Sequence, residues 1–170
     1  YNTNIVNEYT TTLSRERDQA DYEKALIGYE NVPQPRISDV TLDVALYPDE
    51  PRAVTRGTYV IQNRTGKPLD EVHVRWLKPL QMTKLDVEGA KLKQEHIGQD
   101  YRIYRFDRPM APLEVRRIAF ETLREQQGFR NSDNERRIVD NGTFLDNTEI
   151  APMLGMSREG LLQDRAKRRK

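Results

Sequence analysis

Val40-Thr41-Leu42-Asp43-Val44-Ala45-Leu46-Tyr47 runs straight into Pro48-Asp49-Glu50-Pro51, and this passage decides the fold class. Val40, Leu42, Val44 and Leu46 fall on one side of an extended chain, and Thr41, Asp43, Ala45 and Tyr47 on the other. A strict period of two predicts a half-buried β-strand. The two prolines close it, because proline can neither donate to a ladder nor continue it. The pattern then repeats. Tyr59 and Ile61 alternate with Thr58, Val60 and Gln62 in a second strand. Asn63-Arg64-Thr65-Gly66 supplies a turn with a residue that accepts positive φ.

Working outward, Val72, Val74 and Trp76 share a face in a third strand, with His73 and Arg75 opposite. Leu85 and Val87 mark a fourth, and Gly89-Ala90 reverses the chain into Leu92. Tyr101 to Phe106 form a further strand. Pro112 opens the last long one, whose inward set reads Leu113, Val115, Ile118 and Phe120. Those four do not keep one parity, so the sequence predicts a β-bulge near Arg116-Arg117. Gln127 to Arg137 reads as a polar loop. Ile138-Val139 and Thr143-Phe144-Leu145 read as short strands around the turn pair Asn141-Gly142.

The ends differ in character. Residues 1–32 form a helical N-terminal segment, with a helix from about Thr11 to Ile27 stopped by Gly28 and closed off by Pro33 and Pro35. Its apolar stripe is thin, which places it on the surface. Residues 33–156 are the β domain. Residues 157–170 are a basic tail or short helix ending in Lys167-Arg168-Arg169-Lys170. Turns every 8–14 residues or so favour antiparallel pairing over a doubly wound sheet. The expected fold is mainly β: an antiparallel β-sandwich or saddle-shaped sheet of about seven or eight strands, with an N-terminal helix and a short C-terminal helix.

Composition narrows the chemistry. The 170 residues suit one domain plus tails. With 28 basic and 27 acidic residues the net charge is +1, which gives no reason to expect nucleic acid as a partner. The absence of cysteine excludes disulfides, thiolate nucleophiles and cysteine-held zinc or iron–sulfur centres. No apolar run approaches the roughly 20 residues of a membrane span, and no signal peptide is visible. A start at Tyr1 rather than Met suggests a piece of a longer polypeptide.

Catalytic constellations are equally sparse. A zinc hydrolase needs three side-chain ligands, commonly with two histidines one helical turn apart. The two histidines here, His73 and His96, are 23 positions apart, and read as surface or cross-strand residues. Ser14, Ser38, Ser132 and Ser157 lie in no nucleophile elbow. No glycine-rich phosphate loop occurs. Asp49-Glu50, and Asp133 with Glu135, read as solvated turn carboxylates. The acceptor patterns Asn63-Arg64-Thr65 and Asn141-Gly142-Thr143 fall in turns that need those residues for backbone reasons. The sequence therefore assigns no catalytic, cofactor-binding or metal-binding residue, and reads as no enzyme in itself.

Three stretches carry a resemblance. Pro33-Gln34-Pro35-Arg36-Ile37-Ser38-Asp39-Val40, the strand end Leu46-Tyr47-Pro48 and the next strand's Arg56-Gly57-Thr58-Tyr59 are similar to the opening of the N-terminal β domain of the aminopeptidase N family of zinc metallopeptidases. Asp140-Asn141-Gly142-Thr143-Phe144-Leu145-Asp146-Asn147-Thr148-Glu149-Ile150-Ala151-Pro152-Met153-Leu154-Gly155 resembles a bacterial subgroup in which the peptidase-like part follows ABC-transporter-permease-like membrane helices. Tyr1-Asn2-Thr3-Asn4 resembles the sequence just after the last of those helices. The family's His-Glu-x-x-His helix and Gly-x-Met-Glu-Asn loop are absent, and the resemblance would put them downstream of Lys170.

The resemblance implies a non-catalytic domain with no cofactor of its own. Its partners would be the downstream catalytic domain of the same chain and the membrane segments of the parent protein. It would be a soluble domain of an integral membrane protein, leaning to the periplasmic or extracytoplasmic side. By the same analogy Asn141, Gly142, Thr143, Phe144, Leu145, Ile150 and Pro152 are the candidate domain interface; an ordinary turn and terminal strand is the other reading. The alternative function is a stand-alone β-sandwich interaction module of a transporter-associated membrane protein, binding through a sheet edge.

Overall fold

The computed structural model describes residues 12–50, 52–125, 138–139, 142–143 and 145–158. Eight strands form two four-stranded antiparallel sheets. The first sheet has the order β1 (Arg36–Tyr47), β2 (Arg52–Gln62), β7 (Val115–Glu125), β4 (Leu80–Val87). The second has the order β10 (Met153–Leu154), β3 (Leu69–Arg75), β6 (Tyr101–Met110), β5 (Ala90–His96). A two-residue ladder joins β8 (Ile138–Val139) to β9 (Gly142–Thr143). Helix α1 (Thr12–Leu26) runs into a 3-10 turn at Ile27–Tyr29, and the four-residue helix α2 spans Asn147–Ile150. The mainly β, antiparallel architecture expected from the alternation is the one observed. The C-terminal helix expected over 157–170 lies almost wholly outside the described residues, as does the loop expected over 127–137.

The core sits between the sheets. Tyr59, Ile61, Ile118 and Phe120 from the first sheet meet Val72, Val74, Tyr104 and Phe106 from the second. Each such fully buried side chain is worth about 1.5–3 kcal/mol relative to exposure. The second sheet is covered on both faces. In β6, Tyr104 and Phe106 point to the first sheet, while Tyr101 and Ile103 point the other way and meet Leu26, Tyr22, Ala25 and Tyr29 of the helical segment. The result is three layers: sheet, sheet, helix. The thin apolar stripe of α1 is enough because, among its described side chains, only Leu26 is fully enclosed.

Gly57 lies on the core face of β2, between Leu42 of β1 and Phe120 of β7. A Cβ there would stand 2.1 Å from the Phe120 ring, so only glycine lets that ring lie across the strand. Gly66 and Gly89 have φ of +76° and +66°, as their turns require. The Glu88-Gly89 turn is tied to both sheets. Glu88 donates its N–H to the Arg117 carbonyl, and the Gly89 carbonyl accepts from the Asp107 N–H at 2.8 Å.

Three expectations are corrected. The predicted bulge at Arg116-Arg117 does not exist, because β7 keeps unbroken register with β2 from Val115 to Glu125. Its inward set is Arg116, Ile118, Phe120 and Thr122, all of one parity, and Leu113 stands in the preceding turn at φ +65° and 70% exposed. Arg116 takes an inward place because its guanidinium lies 4.5 Å from the Phe106 ring centre and bonds to Glu114 and the Arg108 carbonyl. The second correction concerns β1, which is an exposed edge rather than a half-buried strand: Val40, Val44 and Leu46 are 48%, 37% and 42% exposed. The third is His73, which is no surface residue but is fully enclosed beneath the helical segment.

Candidate functional site

The densest polar chemistry lies where the helical segment crosses β3 and β6. Alternation in β3 sends Val72 and Val74 into the core and His73 to the opposite face. There the helical segment brings the Tyr29 ring to 5.1 Å of the imidazole, edge on. His73 Nδ1 is 2.6 Å from the Tyr101 hydroxyl, and Nε2 is 2.8 Å from Glu71 Oε1. The other carboxylate oxygen of Glu71 accepts from Lys93 at 2.8 Å. His96 packs against both Tyr29 and Tyr101. The backbone of His73 is used as well: its N–H donates to Gln34 Oε1 and its carbonyl accepts from Gly155.

Protonation states follow from the surroundings. Burial lowers the pKa of His73, against an opposing pull from Glu71. Burial pushes Glu71 up, but the hydrogen bonds from Lys93 and His73 outweigh it and hold the carboxyl below its usual range. Burial raises the Tyr101 phenol. An ionised carboxylate only accepts, so Nε2 carries the proton and donates to Glu71, and Nδ1 accepts from the Tyr101 hydroxyl. The order tyrosine–imidazole–carboxylate resembles a proton relay, yet His73 and Tyr101 are both 0% exposed. No substrate atom can reach either one. The cluster is a clasp with a buried centre that ties β3, β5 and β6 together and seats the Tyr29 ring of the helical segment on the second sheet.

Two clefts flank it. One of about 450 Å³ is bounded by Val32, Pro33, Asp70, Glu71, Lys93 and Arg105. The other, about 530 Å³, lies between α1 and the Trp76–Lys78 turn, where burial raises the Asp100 carboxyl. Among the described residues no three His, Cys, Asp or Glu side chains gather as metal ligands. Both ring nitrogens of His73 are already engaged, so these residues do not fit a zinc ion. Among the described residues no helix is long and apolar enough to cross a membrane.

The residues assigned from sequence to a domain interface fall in different places. Asn141 and Phe144 lie outside the described residues. Gly142 and Thr143 form β9. Leu145 packs at the margin of the core, Ile150 is 8% exposed, and Pro152 is buried. Helix α2 starts on a capping box: Asp146 Oδ1 accepts from the N–H groups of Thr148 and Glu149, and Glu149 Oε2 accepts from the Asp146 N–H. Beyond it the Thr122 hydroxyl donates to the Ile150 carbonyl at 2.6 Å, and the Tyr59 hydroxyl to the Pro152 carbonyl at 2.8 Å. Burial pushes the Tyr59 phenol up to about 12, which keeps it a donor. Sequence reasoning missed the clasp. Its one signal was a histidine between valines in a strand otherwise read as one-sided.

No family model matches the chain, and no curated protein matches it. Among solved structures it is similar to a variant of a two-domain M1 zinc metallopeptidase bound to L-tryptophan. The identity is 17% and the TM-score 0.43, over 54% of this chain and 21% of that one. It is also similar to a variant of an M1 zinc metallopeptidase from Deinococcus radiodurans bound to a Tyr-Ser-Ala substrate. There the identity is 14% and the TM-score 0.46, over 70% of this chain and 29% of that one. The chain spans less than a third of either peptidase.

Proposed function

We propose that this chain is the non-catalytic N-terminal β domain of a larger, membrane-anchored zinc-aminopeptidase-like protein, and that it packs on and shapes a downstream catalytic domain of the same polypeptide. The observation that carries the reading is the anchoring of the segment that resembles that family. Its described part is bonded to the sandwich through Ile150 and Pro152, and then pairs with β3 as β10. A segment pinned at alternate carbonyls gives an adjoining domain a defined direction, which suits a wall rather than a tether. The sealed clasp around His73 supports the same reading, since the side chains best suited to chemistry are spent on holding layers together. Membrane anchoring rests on the resemblance of Asp140 to Gly155 and of Tyr1-Asn2-Thr3-Asn4 to the membrane-fused subgroup. Zinc belongs in this reading to the downstream domain alone.

The test compares this chain with a polypeptide extended through its natural downstream sequence. Bound zinc and turnover of simple aminoacyl substrates are measured on both. Zinc and activity in the extended form only is the expected result. Either one in the 170-residue chain alone refutes the proposal. A blank in both shifts weight to an interaction module.

A further inference from the structure

The four outer strands of the sandwich are not alike. β4 has a register shift between Met82 and Lys84 and carries Lys84 and Asp86 outward. β5 has a shift between Leu92 and Gln94 and exposes Lys91, Lys93 and Glu95. β10 is two residues long. Bulges, charge and brevity are the devices by which edges are kept from pairing with another chain. β1 is long and regular, and its mid-strand charges, Asp39 and Asp43, stand only on the outward face, so its inward face carries no charge. Its one register shift lies at its start, between Ile37 and Asp39, and from Asp39 to Tyr47 the ladder with β2 is regular. The strand contains no proline.

The side chains of β1 reinforce the contrast. Val40, Leu42, Val44 and Leu46 pair with Tyr59, Gly57, Thr55 and Ala53, the inward residues of β2, so they lie on the face that sandwiches normally bury. Only Leu42 reaches the core; Ile37, Val40, Val44 and Leu46 stay 37–48% exposed. An unpaired edge and an apolar row on one strand together describe a surface for an added strand.

We infer that β1 is a homodimer edge, pairing antiparallel with β1 of a second copy about a two-fold axis at Leu42 that stands perpendicular to the sheet. The sequence of the strand selects this occupant, because it complements itself. About that axis Leu42 faces Leu42, Val40 faces Val44 of the second copy, Thr41 faces Asp43 and Asp39 faces Ala45. Apolar residues meet apolar residues on one side, and no like charges face each other on the other. Moving the axis one residue toward the N-terminus sets Asp39 against Asp43, and one residue toward the C-terminus sets Asp43 against itself. Like charges directly opposite are destabilising. The arrangement joins the two first sheets into one continuous sheet and closes on itself, as an isologous contact must.

Sedimentation velocity of the full chain over a micromolar concentration series tests this. The expected result is a reversible monomer–dimer equilibrium that Val44→Lys weakens by more than about tenfold, since an inward lysine on an edge blocks pairing. Thermal melts of the diluted monomer check that the variant still folds. The chain has no cysteine, so single substitutions report the register cleanly. Under mild oxidation Leu42→Cys should cross-link with itself, while Val40→Cys and Val44→Cys should cross-link only when mixed. A wild-type chain that stays monomeric overturns the inference. If Val44→Lys then also lowers the melting temperature, the row is covered by another part of the same chain; if it does not, the row awaits a partner of different sequence. A dimer that survives Val44→Lys, or that cross-links only at other positions, overturns it as well.

Discussion

Gly57→Ala is the sharpest test of how the core is built. The added methyl would lie 2.1 Å and 2.5 Å from two atoms of the Phe120 ring and 2.8 Å from Leu42 Cδ2. Comfortable carbon–carbon contact is about 3.5–4.0 Å. The ring has nowhere to go. Phe120 is 2% exposed and its centroid lies 4.8 Å from that of Tyr59, whose hydroxyl is committed to the Pro152 carbonyl. Overpacking of this kind costs about 1–3 kcal/mol, and the upper end applies where two rings must move together. Replacing glycine in a strand returns about 0.5–1 kcal/mol. The net expectation is a loss of about 2 kcal/mol, or a melting temperature lower by about 4–8 °C for a chain of this length. Urea unfolding followed by the single tryptophan, Trp76, measures it. Repeating the substitution beside Phe120→Leu should recover about 1 kcal/mol or more as coupling. A loss below about 0.5 kcal/mol, or the same loss in both backgrounds, refutes the argument that ring and glycine are matched.

Three further outcomes follow from the clasp and the caps. Because burial lowers the pKa of His73 below its ordinary 6.5, the unfolded chain takes up the proton first as pH falls, so stability is full above 6.5 and declines below it. Glu71, also lowered, adds a second decline as pH falls below 4.5, and His73→Gln should flatten the upper window and, by removing the imidazole beside Glu71, weaken the lower one, leaving the part held by Lys93, read from urea midpoints against pH. Leu26→Ala should cost about 2–5 kcal/mol by emptying a fully enclosed site under the helical segment, seen in the same urea curves. Asp146→Ala removes the cap of α2 and should cost about 0.5–2 kcal/mol, while Asp146→Asn retains most of it.

The strands and turns were legible in the sequence because each rests on local signals. A period of two marks β1 and β2, and glycine marks the positive-φ turns at Gly66 and Gly89. What was not legible depends on layers that the chain assembles at long range. Alternation in β1 says which residues share a face, but not that, among the described residues, the opposing sheet ends in the two-residue β10 on that side. His73 was placed on the correct side of β3, yet nothing local says that a helical segment more than forty residues upstream covers that side. In β7, taking Leu113 and Val115 as inward requires a bulge to reach Ile118 and Phe120. Parity alone, with Arg116, Ile118, Phe120 and Thr122 in step, gave the right strand. As for the site, sequence placed Ile150 and Pro152 in a segment of interest without revealing that their carbonyls are held by Thr122 and Tyr59.

The Glu88-Gly89 turn has a bearing on how the molecule moves. Its two main-chain bonds tie the turn to both layers along one side, where β4 and β5 meet, while on the opposite side the described residues close the layers with the short β10 and the side-chain bonds from Thr122 and Tyr59 to the segment before it. The sandwich is bound like a book, with its spine at Gly89 and its fore-edge at β1. Thermal breathing that parts the layers pivots on that spine, so its amplitude grows toward β1 and is least beside the turn. Amide protons of β1 therefore exchange through small local openings, and those of β6 and β7 wait for the whole domain to come apart.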